Sequence, residues 1–149
     1  MSLSEKIATD LMAAMKAQDK GSLEALRAAK TAFILARSER GQDTVLTKEE
    51  EIKIIQKLVK QRKESAAIYR EQKRPDLYEK EEKEAAVLER YLPAKMSEED
   101  LTGALREIIA RVGAKAPSDM GKVMSVATKE LAGKADGREI SAMVKVLLG

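Results

Sequence analysis

The chain has 149 residues, with 28 Lys and Arg against 25 Asp and Glu, and contains no Cys and no His. Those absences exclude disulfides, thiol chemistry, Cys/His zinc sites and His-based acid–base catalysis. A net charge of +3 is too small to announce nucleic-acid binding.

Low Pro, with abundant Ala, Leu, Lys and Glu, points to an all-α protein whose core is filled by aliphatic residues and Met. No apolar run approaches the ~18 residues of a membrane span, and no signal-peptide core stands near Met1. The expectation is a cytoplasmic chain with no membrane partner. Residues 1–96 carry 20 basic and 17 acidic side chains, and residues 97–149 carry 8 of each. The last third is therefore no basic arm.

In chain order, Ser2 and Glu5 form a capping box. Leu3, Ile7, Leu11 and Met15 then keep helical spacing to about Gln18. A turn at 19–22 follows, and Ser22 is the predicted cap of a second helix. Leu23, Leu26, Phe33 and Ile34 mark its apolar side, ending near Gly41. Two helices joined by so short a turn form a hairpin. Residues 42–46 read as a loop.

Thr47 and Glu50 form a second capping box. It opens the longest helix, to about Lys73, with a stripe of Ile52, Ile55, Val59, Ala66 and Tyr69 interrupted by Arg62. Pro75 breaks it, because proline disfavours helix in the residue before it. Asp76 is the predicted cap of a fourth helix, to about Tyr91. The third helix is basic and the fourth acidic. One reading pairs them as a hairpin with complementary charge; the other makes Lys53, Lys57, Lys60 and Lys63 a phosphate-facing stripe. The first is favoured, since charge runs on long helices are usually solvated faces.

Pro93 marks a boundary between an N-terminal domain of about four helices (1–93) and a small three-helix module (94–149). Ser97 caps the fifth helix, with Leu101, Leu105, Ile108, Ile109 and Val112 on one face and Gly113 as its stop. Met120, Val123, Met124, Ala127 and Leu131 belong to the sixth. Ile140, Met143, Val144, Leu147 and Leu148 belong to the seventh.

Two turns in this module, 116–122 and 132–138, share small residues and cations. Ser118 and Asp136 are predicted N-caps, and Gly133 suits a left-handed helix stop. Lys115, Lys122, Lys134 and Arg138 then stand beside helix N-termini, which favour anions. They are the candidate nucleic-acid-binding residues, with Ser118, Asp119, Met120, Gly121, Gly133, Asp136 and Gly137 as the turn motif. The competing reading is of solvated lysines and glycines that serve only caps and packing. All aromatic residues lie outside these turns, so any nucleic-acid contact would read backbone and shape.

No catalytic, metal or cofactor site is expected. Gly121-Lys122 fails the phosphate-loop pattern, with Ala116 and Val123 where Gly and Ser/Thr are needed. The stretch 136–139 lacks the alternating oxygens of a calcium loop.

The run Leu-Glu-Arg-Tyr-Leu-Pro-Ala-Lys-Met-Ser-Glu-Glu-Asp-Leu (88–101) carries a family likeness. So do Ser-Asp-Met-Gly-Lys-Val-Met (118–124) and Gly-Lys-Ala-Asp-Gly (133–137). Together with Leu26-Arg27 and the run 58–65, they closely resemble the YqeY family over nearly the whole chain. That family is similar to the C-terminal tail domain of the B subunit of the tRNA-dependent amidotransferase. A related domain is attached to some glutaminyl-tRNA synthetases. The resemblance implies a two-part all-helical protein whose tail module helps to hold tRNA. The family's label, carbon–nitrogen ligase with glutamine as amido donor, would imply amidation; this chain has neither amidase Ser-Lys machinery nor an ATP site. The expectation is a non-catalytic tRNA-associated module. The alternative is a module that docks an aminoacyl-tRNA synthetase or amidotransferase.

Overall fold

The computed structural model describes residues 1–41 and 44–149. Among these residues it is all-helical, with seven α-helices and no strand. None of the helices is long and apolar enough to cross a membrane. Two compact units are present, Met1–Leu92 and Pro93–Gly149. Part of the loop expected over 42–46 falls on Gln42 and Asp43, outside the described residues.

The first unit holds α1 (Leu3–Ala17), α2 (Lys20–Arg40), α3 (Lys48–Glu71) and α4 (Pro75–Glu89). Both expected capping boxes form: the Glu5 N–H donates to Ser2 Oγ at 3.1 Å and the Glu50 N–H to Thr47 Oγ1 at 3.2 Å. Helix α1 pairs with α2 and α3 with α4, the second contact being the most extensive in the chain. Ile7, Leu11, Leu26, Phe33, Ile55, Val59 and Leu88 meet in one core.

Local details differ from the sequence reading. The cap of α2 is Asp19, not Ser22: its carboxylate accepts the Ser22 N–H at 3.3 Å and the Ser22 hydroxyl at 2.7 Å. A carboxylate one turn earlier takes the place because the helix starts at Lys20. Asp76 does not cap α4 either. Pro75 occupies the first turn, where its missing N–H costs nothing. Asp76 instead pairs with the Arg74 guanidinium through two bonds of 3.1–3.2 Å. Ile34 and Met15 point outward, being about half exposed, because the buried edges of their helices run through Ala25, Ala29 and Phe33 and through Ile7, Leu11 and Ala14.

Two carboxylates are buried in this unit, Glu51 and Glu84. Glu51 on α3 accepts the Ser4 N–H at 2.9 Å, one of the donors that α1 leaves free at its start. The Ser4 hydroxyl in turn accepts from Arg37 of α2 at 3.1 Å. A helix N-terminus is thus tied to two neighbouring helices by side chains. Glu84 on α4 faces Arg62, the residue that interrupts the α3 stripe. Arg62 Nε stands 2.9 Å from Glu84 Oε2 and 3.9 Å from Glu81 Oε2. Its N–H is not aligned with either oxygen, so the contact is ionic and not a hydrogen bond. Burial, reinforced by the Glu24 carboxyl, raises the Glu84 pKa above its ordinary value. Lys63 and Glu89 pair at 2.7 Å on the rim. The complementary-charge hairpin is therefore the arrangement found. Lys63 goes to Glu89 and Lys53 to Glu49, leaving Lys57 and Lys60 of the alternative stripe without an ion pair among the described residues.

The second unit holds α5 (Glu98–Val112), a 3-10 turn (Pro117–Asp119), α6 (Met120–Glu130) and α7 (Gly137–Leu148), each α-helix touching the other two. Leu101, Leu105, Ile108, Val123, Ala127, Ile140 and Val144 fill its core. Ser97 caps α5, accepting the Asp100 N–H at 3.1 Å, and Gly113 stops it at φ +70°. The Met96 N–H donates to the Lys134 carbonyl at 2.8 Å, pinning the α6–α7 turn beside the start of α5.

Three stability outcomes are expected, all readable by urea denaturation at neutral pH. Glu84→Ala strands Arg62 and costs about 2 kcal/mol, below a fully sealed pair because Arg62 keeps 22% side-chain exposure. Glu89→Ala costs under about 1 kcal/mol, since Lys63 and Glu89 are both near half exposed. Glu51→Ala removes a charged acceptor at the start of α1 and costs about 2 kcal/mol, whereas Glu51→Gln, which keeps an oxygen there, costs about half of that.

Candidate nucleic-acid interface

The first turn is built around one carboxylate. Asp119 Oδ2 accepts the Lys115 N–H at 3.0 Å and the Ala116 N–H at 3.3 Å. Those two bonds, in that order of weight, hold its carboxyl below the ordinary value, with the charge of Lys122 helping. Ser118 is not the cap predicted for it. It sits inside the 3-10 turn and is exposed, because Pro117 starts that turn one residue earlier and α6 begins only at Met120. The second turn is held by Gly133, at φ +80°, and by Asp136, which caps α7 by accepting the Arg138 N–H at 3.3 Å. Its Asp136 and Gly133 roles match the sequence reading.

Carboxylates of the chain thus take the Lys115 and Ala116 N–H groups in the first turn and the Arg138 N–H in the second, whereas α6 starts without a side-chain cap. Lys115, Lys122, Lys134 and Arg138 are all exposed. Among the described residues none of the four makes an ion pair; in this unit the pairs run from Arg111 to Glu107 and to Glu130.

The four do not share one concave corner. Helix α6 separates the two turns, with Lys115 and Lys122 at its start and Lys134 and Arg138 beyond its end. Its 11 residues at 1.5 Å each set the turns about 16 Å apart. Neither of the unit's cations at the second turn is free of acidic neighbours. Glu98, Glu99 and Asp100 start α5 there, and Asp136 and Glu139 start α7.

The face that joins the turns is the outer side of α6. Gly121, Lys122, Ser125 and Lys129 are all exposed. Lys122 and Lys129 are seven residues apart, so they stand on one side about two turns from each other. A Cβ added at Gly121 or Gly137 would meet nothing within 4 Å. Neither glycine has a positive φ. Nothing in the fold of the second unit thus demands glycine at those two places, unlike Gly133. Met120 is half-buried against the core and belongs to packing.

A family model described as Yqey-like protein matches residues 4–148. The chain belongs to the YqeY family. A comparison with curated proteins found no match.

In this YqeY-family chain the sequence reading does not single out Lys129, which lies seven residues after Lys122 on the same side of α6; that interval is the available signal. The first unit carries a separate cleft of about 500 Å³, lined in part by Lys6, Asp10, Asp19, Arg90 and Tyr91. Its charges are balanced. Tyr91 donates to Asp10 Oδ2 at 2.5 Å, and burial, then Asp10, pushes the phenol well above its ordinary pKa. Among the described residues no group of three or more acids is placed to hold a metal.

The Asp119 bonds have a signed pH dependence. A carboxyl held below its ordinary 3.8 stabilises the turn above that value and loses the effect as pH falls through its depressed pKa. Amide exchange followed by NMR should show Lys115 and Ala116 protected at neutral pH and deprotected in acid. In Asp119→Ala that protection should be missing at every pH.

Proposed function

We propose that this chain is a non-catalytic module that holds tRNA by its backbone through the outer face of α6 and the turns at its ends. The observation that carries the reading is the exposed Lys122 and Lys129, without an ion pair among the described residues, with the exposed Ser125 between them and Gly121 beside Lys122, on a helix flanked by Lys115 and Lys134. Small residues let a phosphate chain come close to the helix, and the lysines supply point charges without base selectivity. Family membership supports the RNA class through the family's similarity to the amidotransferase tail domain. On this reading the chain serves tRNA-dependent amidation or aminoacylation, and the amide-transfer chemistry belongs to a partner enzyme.

With about three lysines engaged, affinity is weak, and log K falls with log salt at a slope of about −2 to −3. The test is titration of fluorescently labelled tRNA against the full chain at low and moderate salt. Lys122→Glu combined with Lys134→Glu should cut affinity at least tenfold and flatten the slope by about 2. Unchanged binding in that double variant removes the interface, and absence of binding at low salt removes the function. Gly121→Ala separates folding from function. It should raise stability by about 0.5–1 kcal/mol, as expected for an exposed helical position, while weakening tRNA binding through the added methyl.

A further inference from the structure

On the second unit, α5 and α7 leave a groove of about 530 Å³ between them, lined by Glu98, Leu101, Glu139, Ala142, Met143 and Val146. Glu139, Met143 and Val146 are spaced i, i+4, i+7 and so form one face of α7. Ala142 lies on the next strip of α7, four residues after Arg138 and three before Lys145, so those cations flank that wall without lining the groove. Val146 is 73% exposed. The Thr102 hydroxyl donates to the Glu98 carbonyl at 2.8 Å and lies 3.6 Å from the Met143 sulfur. The floor of the groove is therefore apolar, and its only charged lining groups are two carboxylates at one end. Among the described residues neither Glu98 nor Glu139 is ion-paired.

We infer that this groove docks a basic amphipathic helix of a partner protein. Its two carboxylates repel phosphate, so the groove is not an extension of the tRNA-facing surface. A second copy paired groove to groove would leave these carboxylates without cations unless it brought its own, and it is the rival occupant that the test below separates. A helix with two apolar residues four apart fits the floor over Leu101, Ala142 and Val146. Lys or Arg one turn further on reaches Glu98 and Glu139. Those glutamates stand in the first turns of α5 and α7, whose N-terminal dipole ends favour a facing helix C-terminus. The partner helix thus lies antiparallel to α5 and α7, with its cations in its last turn. This surface does not depend on the tRNA reading.

The probe is a fluorescein-labelled, alanine-based helical peptide with two leucines four residues apart and two arginines one turn towards its C-terminus. Binding to the full chain is followed by anisotropy. Val146→Glu, at a site already exposed, should lower peptide affinity about tenfold or more. Glu98→Gln with Glu139→Gln should lower it several-fold, with the loss shrinking at high salt. The same peptide with glutamates for arginines should bind no better to wild type than the arginine peptide does to Val146→Glu. Labelled tRNA should bind Val146→Glu as it binds wild type, and Lys122→Glu with Lys129→Glu, on the outer side of α6, should leave the peptide untouched. Peptide affinity unaltered by Val146→Glu would overturn the proposal. So would a dimer in sedimentation equilibrium that Val146→Glu dissociates, since the occupant would then be a second copy.

Discussion

In the second unit the starts of α5 and α7 and the turn before α6 are each held by an oxygen that the chain itself supplies, while α6 itself starts without a side-chain cap. Ser97 takes an N–H at the start of α5, Asp136 one at the start of α7, and Asp119 two in the turn before α6. This self-capping limits the anion sites that the unit can offer. To reach the Lys115, Ala116 or Arg138 N–H a phosphate would have to displace the carboxylate that already accepts it. The exposed lysines on the outside of α6 offer point charges without the directional bonds of a built phosphate pocket.

The first unit shows the same economy in its interior. Its helices are thinly apolar for their length, and two of its buried side chains are carboxylates. Neither is left without a partner. Glu51 satisfies a free N–H of α1, and Glu84 answers Arg62 across the α3–α4 seam. A buried ion pair adds little net stability against well-packed apolar residues, yet losing one member is costly. Such a pair fixes which face of α3 meets α4. The rim pairs, Lys63 with Glu89 and Lys80 with Glu24, are exposed and contribute little.

Charge in the second unit sums to zero over residues 97–149 but is not evenly mixed in space. Cations without partners line the outer side of α6. Carboxylates collect at the starts of α5 and α7, where the helix dipoles stabilise them, and two of them overlook an apolar groove. One small bundle thus presents two surfaces of opposite electrostatic character.

Much was legible in the amino-acid order alone. The all-α class, the two capping boxes, the stops at Gly113 and Gly133, the cap at Asp136 and the charged α3–α4 hairpin all follow from interactions within a few residues or from helical period, and such signals survive without knowledge of tertiary contacts. The caps at Ser22, Asp76 and Ser118 were misjudged because several oxygens competed within one turn, and the exact helix start chose among them. What only the tertiary structure decided involves distance across the chain. Glu51 reaching Ser4, Arg62 meeting Glu84, the roughly 16 Å that α6 puts between the two lysine-bearing turns, and the pairing of Glu98 with Glu139 over one groove have no local signature. Sequence spacing records which residues share a helix face, but not which other helix that face will meet.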